Sequence, residues 1–155
     1  MLKLIKQNKR RRKASSRINR ADFANVDAAT RTRMQAVRRR DTQPELLVRR
    51  LLRRTGHRFK LHRHDLPGRP DIVFPSLHKV IFVHGCFWHG HLNCRRARLP
   101  TKNAKAWSKK ITTNRVRDRR VVTQLTRIGW KSMVVWECTT SNTKKLGAKL
   151  TRFLS

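Results

Sequence analysis

The chain reads as an α/β domain, a mixed central sheet flanked by helices, and three observations lead there. Short apolar blocks, Val80-Ile81-Phe82-Val83 and Met133-Val134-Val135-Trp136, have the length and composition of buried strands. Segments with apolar residues at helical spacing lie before, between and after them, and no internal repeat is present. The length of 155 residues suits one domain of the usual size, about 100–150 residues.

Residues 1–25 carry nine Lys or Arg before the first acid, Asp22, with no apolar period, and are expected to be a disordered basic arm. The single folded domain is then 26–155. Asp27 can cap a helix running to about Arg39, and Thr42-Gln43-Pro44-Glu45 spells a capping box ahead of Leu46, Leu47, Val48, Leu51 and Leu52. After Gly56 the pattern turns to strands: His57 to Leu61, then Asp71 to Phe74 behind a turn at Pro67-Gly68-Arg69-Pro70, then His78 to Val83. Residues 85–101 hold Cys, His, Gly and Pro without a period and read as a loop that needs a metal to order it. Helical spacing returns from Asn103 to about Ile128, read as two helices broken near Thr112-Thr113-Asn114, with Gly129 at a C′ position. A strand from Trp130 to Trp136 and a helix from about Ser141 to Phe153 complete the order.

The formal net charge is +32, from 40 Lys and Arg against 8 Asp and Glu. Self-repulsion of that size calls for a polyanion, and nucleic acid is the natural partner. No run approaches the roughly 18 apolar residues of a membrane span, and the start lacks a signal peptide's apolar stretch. A soluble cytoplasmic protein that acts as a monomer on DNA in the nucleoid, with no membrane partner, is expected.

The segment from His84 to Cys94 packs three imidazoles and two thiols into eleven residues directly after a buried strand. Tetrahedral zinc takes four such ligands at close spacing, and Cys86, His91, Cys94 and the remaining cysteine, Cys138, form a Cys₃His set, with His84 or His89 as alternatives to His91. In a chain with so few acids, Asp71 at a strand edge is a candidate for holding Mg²⁺, although on this motif alone an Asp capping a turn is the better account.

Four stretches, Leu66-Pro67-Gly68-Arg69-Pro70-Asp71, Val80 to His89, Asn114 to Arg120 and Val135-Trp136-Glu137-Cys138, occur in the order found in very short patch repair endonucleases. The resemblance spans about residues 26–139. It implies a restriction-endonuclease-like fold that nicks DNA 5′ to the thymine of a T:G mismatch left by deamination of 5-methylcytosine. It implies that Asp71 and the Val83 carbonyl hold a catalytic Mg²⁺, and that His84 and His89 flank the scissile phosphate with His89 as the general base. Asp118 would orient His84, and Glu45, also accounted for by its capping box, matches an acid near the site. Phe87, Trp88 and Trp107 match aromatics that wedge into the duplex. A functional link to a cytosine-5 DNA methyltransferase and to mismatch-repair proteins would follow.

The chain departs from the family pattern in three ways: Val83 stands where relatives often have Thr, one extra residue separates His91 from Cys94, and the charge and basic arm are unusually large. The rival readings are a nuclease of the same fold without T:G preference, and a zinc-stabilised DNA-binding protein without catalysis.

Overall fold

The computed structural model describes residues 40–155 together with Thr32, Ala36 and Arg38. The basic arm and nearly all of the helix expected over 27–39 lie outside the described residues. From residue 40 the described chain leads into α1 (Gln43–Arg53), where the Thr42 hydroxyl accepts from the Glu45 N–H at 3.4 Å and Pro44 occupies the first turn. Its buried face comprises Glu45, Val48, Arg49 and Leu52, so two charged residues lie on the stripe that would ordinarily be apolar.

Four strands follow: β1 (Lys60–Leu61), β2 (Ile72–Phe74), β3 (Lys79–His84) and, far along the chain, β4 (Lys131–Trp136). They form one sheet in the order β1-β2-β3-β4, antiparallel except for the parallel β3–β4 pair. The first strand is shorter than the expected 57–61. Only Lys60 and Leu61 pair with β2: continuing the register back along the chain sets Phe59 opposite Phe74, the last residue of β2, and Arg58 opposite Pro75, which opens a 3₁₀ turn and has no N–H to offer.

Between β3 and β4 the chain makes a short helix, α2 (Cys86–His89), a 3₁₀ turn (Arg95–Ala97) and one long helix, α3 (Ala104–Arg127). The segment 85–101 is therefore more regular than the loop expected of it. The expected break near Thr112-Thr113-Asn114 is absent. The Thr113 hydroxyl returns to the Lys109 carbonyl at 2.9 Å, and the Asn114 amide donates to the Trp88 carbonyl at 2.8 Å. Thr113 thus bonds back onto the preceding turn without interrupting the helix, and the Asn114 side chain is engaged outside it, by α2. Gly129 does follow the helix with φ 80°. The chain ends in α4 (Thr143–Leu154), capped by the Asn142 side chain accepting from the Lys145 N–H at 2.9 Å.

Alternation along the strands divides the core into two layers. Ile72, Phe74, Ile81, Met133 and Val135 meet Val48 and Leu52 of α1 and Leu146, Leu150 and Leu154 of α4. On the opposite face Val73, Val80 and Phe82 meet Leu66 and Leu125, with Val121 of α3 packed beside them. This α/β/α sandwich sets the C-terminal ends of the parallel strands β3 and β4 side by side, His84 opposite Trp136.

Candidate active site and metal centre

Residues immediately beyond these two strand ends form a group that could hold a metal ion. Cys86 begins α2, His91 and Cys94 follow it, and Cys138 lies in the 3₁₀ turn after β4. The four ligand atoms all lie within 4.8 Å of one another. The His91 Nδ1 is 3.6 Å from the Cys86 Sγ and 3.3 Å from the Cys138 Sγ, and its ring stacks on Trp136 at 4.2 Å. A tetrahedral ion with bonds near 2.3 Å needs ligands about 3.8 Å apart, so the set fits with little adjustment. Burial, offset in part by the Cys138 N–H, pushes the Cys86 thiol up to about 12, which is the response of converging thiols lacking a counter-charge. His91 is the histidine grouped with the three thiols; His84 and His89 are turned to a different partner.

That partner is Asp118, on α3. Its carboxylate lies 2.6 Å from the His89 Nδ1 and also accepts from Arg117 at 3.0 Å. The His84 ring stacks on His89 with centroids 3.7 Å apart and planes 11° apart. Asp118 therefore orients His89 directly, correcting the expectation that it orients His84, which is reached only through the stack. The reason lies in the elements: His89 ends α2 against α3, whereas His84 is 8% exposed at the end of β3. Burial and then the neighbouring His89 hold the His84 imidazole well down, to about 3, so it is neutral at pH 7.

Close packing of α2 on α3 depends on Gly90, which has φ 61°; a Cβ there would come 2.4 Å from the Ile111 Cγ2. Phe87 and Trp88 lie half-buried on this short helix with rings 5.3 Å apart. Trp107 meets both, at 5.1 and 5.9 Å, but is only 6% exposed. It backs the pair from beneath instead of standing beside them in solvent.

Asp71 lies just before β2, and its carboxylate accepts from the Val83 N–H at 2.8 Å. Extending the β2–β3 register by two residues sets Pro70 opposite Val83, and a proline has no N–H to offer the Val83 carbonyl. A carboxylate and a carbonyl at one place suit a hard cation, so Asp71 and Val83 could hold Mg²⁺. Burial, with Glu45 adding to it, raises the Asp71 carboxyl to about 6. Glu45 itself is 4% exposed, bonded to the Thr42 hydroxyl at 3.0 Å and the Asp41 N–H at 3.1 Å, so the capping box and proximity to the acid centre are both real.

Sequence reasoning passed over two neighbours of Asp71. His62 brings its Nδ1 within 4.0 Å of the Asp71 Oδ1, and Arg49 donates to Asp41, Glu45 and His62. The signal for Arg49 was its place four residues after Glu45 on the buried stripe of α1. His62 left no signal beyond being one of seven histidines.

Comparison with known proteins decides the family. Residues 23–96 match the family model described as DNA mismatch endonuclease Vsr. The DNA mismatch endonuclease Vsr of Escherichia coli (strain K12) is 41% identical over 121 residues, 77% of this chain and 77% of that protein. The chain belongs to the Vsr family of DNA mismatch endonucleases. A type II nicking enzyme of Xanthomonas oryzae pv. oryzae is 53% identical over 78% of this chain and 88% of its own length. Another from Neisseria meningitidis serogroup A is 39% identical over 78% of this chain and 86% of its own length. As a Vsr-family member the protein is a DNA endonuclease, a hydrolase whose substrate is DNA. No helix among the described residues is long and apolar enough to cross a membrane.

Proposed function

We propose that this endonuclease nicks one strand 5′ to the thymine of a T:G mismatch, on a restriction-endonuclease-like scaffold, by hydrolysis that depends on a divalent cation. The observation that carries the reading is the His89–Asp118 contact, which lies beyond the end of the strand whose Val83 binds Asp71.

Asp118 accepts a hydrogen bond from the His89 Nδ1–H, so the tautomer this contact favours leaves the Nε2 lone pair free. His89 can then take a proton from the water that attacks phosphorus in line, while Asp118 stabilises the imidazolium that forms. His84, neutral and stacked beneath it, holds the His89 ring plane and can offer a neutral N–H to a phosphate oxygen. Asp71 and the Val83 carbonyl would hold the cation, Mg²⁺ in this reading, and Glu45 would add negative charge beside it. When bound, that cation would stabilise the charge that develops on the phosphate and the leaving oxygen.

Cys86, His91, Cys94 and Cys138 would hold zinc, with the soft donor set favouring it over Mg²⁺. Phe87 and Trp88, backed by Trp107, would wedge beside the mismatch, where opening an already weakened stack costs least. The protein would act as a monomer whose folded domain begins near residue 26, with 1–25 as a basic arm. Its substrates would be the deamination products of a cytosine-5 methyltransferase, alongside mismatch repair.

The test uses end-labelled duplexes carrying a single T:G, T:A or C:G pair, incubated with Mg²⁺ or EDTA. Mg²⁺-dependent nicking confined to T:G is expected. Cutting of all three would remove mismatch selection, and binding without cutting would remove catalysis.

A further inference from the structure

Beneath the proposed cation site lies an arginine that the reaction as drawn does not use. Arg49 is 6% exposed on α1, and its terminal nitrogens donate to the Asp41 carboxylate at 2.5 Å, the Glu45 carboxylate at 3.0 Å and the His62 Nε2 at 3.0 Å. Among the described residues its Nε has no partner. Burying a guanidinium with an unsatisfied donor costs free energy, so stability alone is a poor account of it.

The geometry fixes more than a salt bridge. Arginine can only donate, so the His62 Nε2 must accept, and the ring proton then belongs to Nδ1. That nitrogen is the one facing the Asp71 Oδ1 at 4.0 Å, in range for a charge–dipole interaction though beyond a hydrogen bond. The His62 backbone N–H donates to the Asp71 carbonyl at 3.2 Å, so the same residue holds Asp71 by its main chain. His62 adopts φ 48° to do both, a conformation a non-glycine residue takes at a cost.

We infer that Arg49 and His62 are positioning residues of the endonuclease reaction, Arg49 holding Glu45 and the His62 tautomer, and His62 in turn holding Asp71 where it meets Val83. The inference rests on the reading of Asp71 as the cation-holding carboxylate. The same Arg49 terminal nitrogen serves Glu45 and His62, so the group that pairs with Glu45 also sets the tautomer that faces Asp71.

The experiment compares His62→Gln, His62→Leu and Arg49→Met with the parent chain. It measures nicking of a T:G duplex across a Mg²⁺ series, duplex binding in EDTA, and melting temperature. Glutamine can accept from Arg49 and donate toward Asp71; leucine can do neither. His62→Leu should raise the Mg²⁺ concentration for half-maximal nicking, or lower kcat, by about tenfold or more, as loss of a ligand's supporting partner does. Its duplex binding and melting temperature should stay near those of the parent. His62→Gln should restore most of the loss. Arg49→Met should shift the Mg²⁺ dependence in the same direction.

If His62→Leu nicks like the parent across the series, or if the glutamine and leucine variants are equally impaired, the inference is overturned. Should Arg49→Met lose folding instead, the His62 pair still decides the matter. Asp71→Asn separates the two levels. If it keeps parental nicking, the reading of Asp71 fails; if it is inactive while His62→Leu is normal, only the positioning role fails.

Discussion

Asp71 occupies a place that disfavours its own charge: burial and the nearby Glu45 raise its carboxyl from 3.8 to about 6. The folded chain therefore binds this proton more tightly than the unfolded chain does. The stability the proton lends is complete below about pH 4 and is lost as pH rises through 6. A shift of roughly two units corresponds to about 3 kcal/mol. His84 acts in the opposite sense, because its imidazole is lowered to about 3 and it loses stability as pH falls below its unfolded value of 6.5. Asp71→Asn removes one of these slopes. In EDTA the variant should melt above the parent at pH 7, with the gap closing toward pH 4; equal melting at pH 7 would show that Asp71 is not strained. Motif matching singled out Asp71, His84 and His89 as candidates because each lies in an unbroken stretch of resemblance. It misassigned the partner of Asp118 because two histidines five residues apart look alike until α2 is known to present the second of them to α3. Arg49 was hidden by the 39 other cationic residues.

At the scale of elements, α2 and the turn after β4 are held by the four-ligand cluster, since Cys86 and Cys138 tie together segments more than fifty positions apart. Cys138→Ser should release zinc and lower both the melting temperature and activity, because a structural ion contributes directly to folding free energy. Elemental analysis checks it, and less than about half an equivalent of zinc in the parent protein would count against the cluster. The aromatic trio divides by burial. Trp107→Ala should cost about 3–5 kcal/mol, as core aromatics do. Trp88→Ala should cost little stability but strongly reduce T:G nicking, while binding to matched duplex stays similar. Equal melting losses for the two would make Trp88 a core residue. The strands were legible as apolar blocks and α1 as a capping box. The continuity of α3 was not, because Thr and Asn disfavour helices by default, and only the contacts of Thr113 and Asn114 reveal that they do not do so here.

For the molecule as a whole, charge governs affinity more than chemistry. Residues 1–20 hold nine of the 40 cationic side chains and lie outside the described domain. Deleting them should weaken binding to matched duplex and flatten the dependence of log K on log salt, by about 0.9 for each phosphate that the arm neutralises. T:G preference should persist; its disappearance at equal occupancy would mean that the arm reads the lesion. The α/β order could be read from periodicity, since β2, β3 and β4 are compact apolar blocks. The pairing of β3 with β4 could not, because 46 residues separate Lys131 from His84 and only the long crossover through α3 brings them together.

Between β3 and α3, positions 84, 86, 89 and 91 alternate between two duties: His84 and His89 belong with Asp118, Cys86 and His91 with the thiol cluster. The count of residues is thus constrained independently of their identity. A one-residue insertion or deletion between 84 and 91 would put the histidine pair and the thiol-cluster side chains out of phase together, and no point substitution could restore both. The exposed run 98–102 should accept duplications, since no side chain there serves either centre. Past His91, Leu92 and Asn93 are exposed and Asn93 adopts φ 54°, so a residue added there would leave the 84-to-91 phase intact. Room for a change of length in this segment begins only where the shared phase has ended.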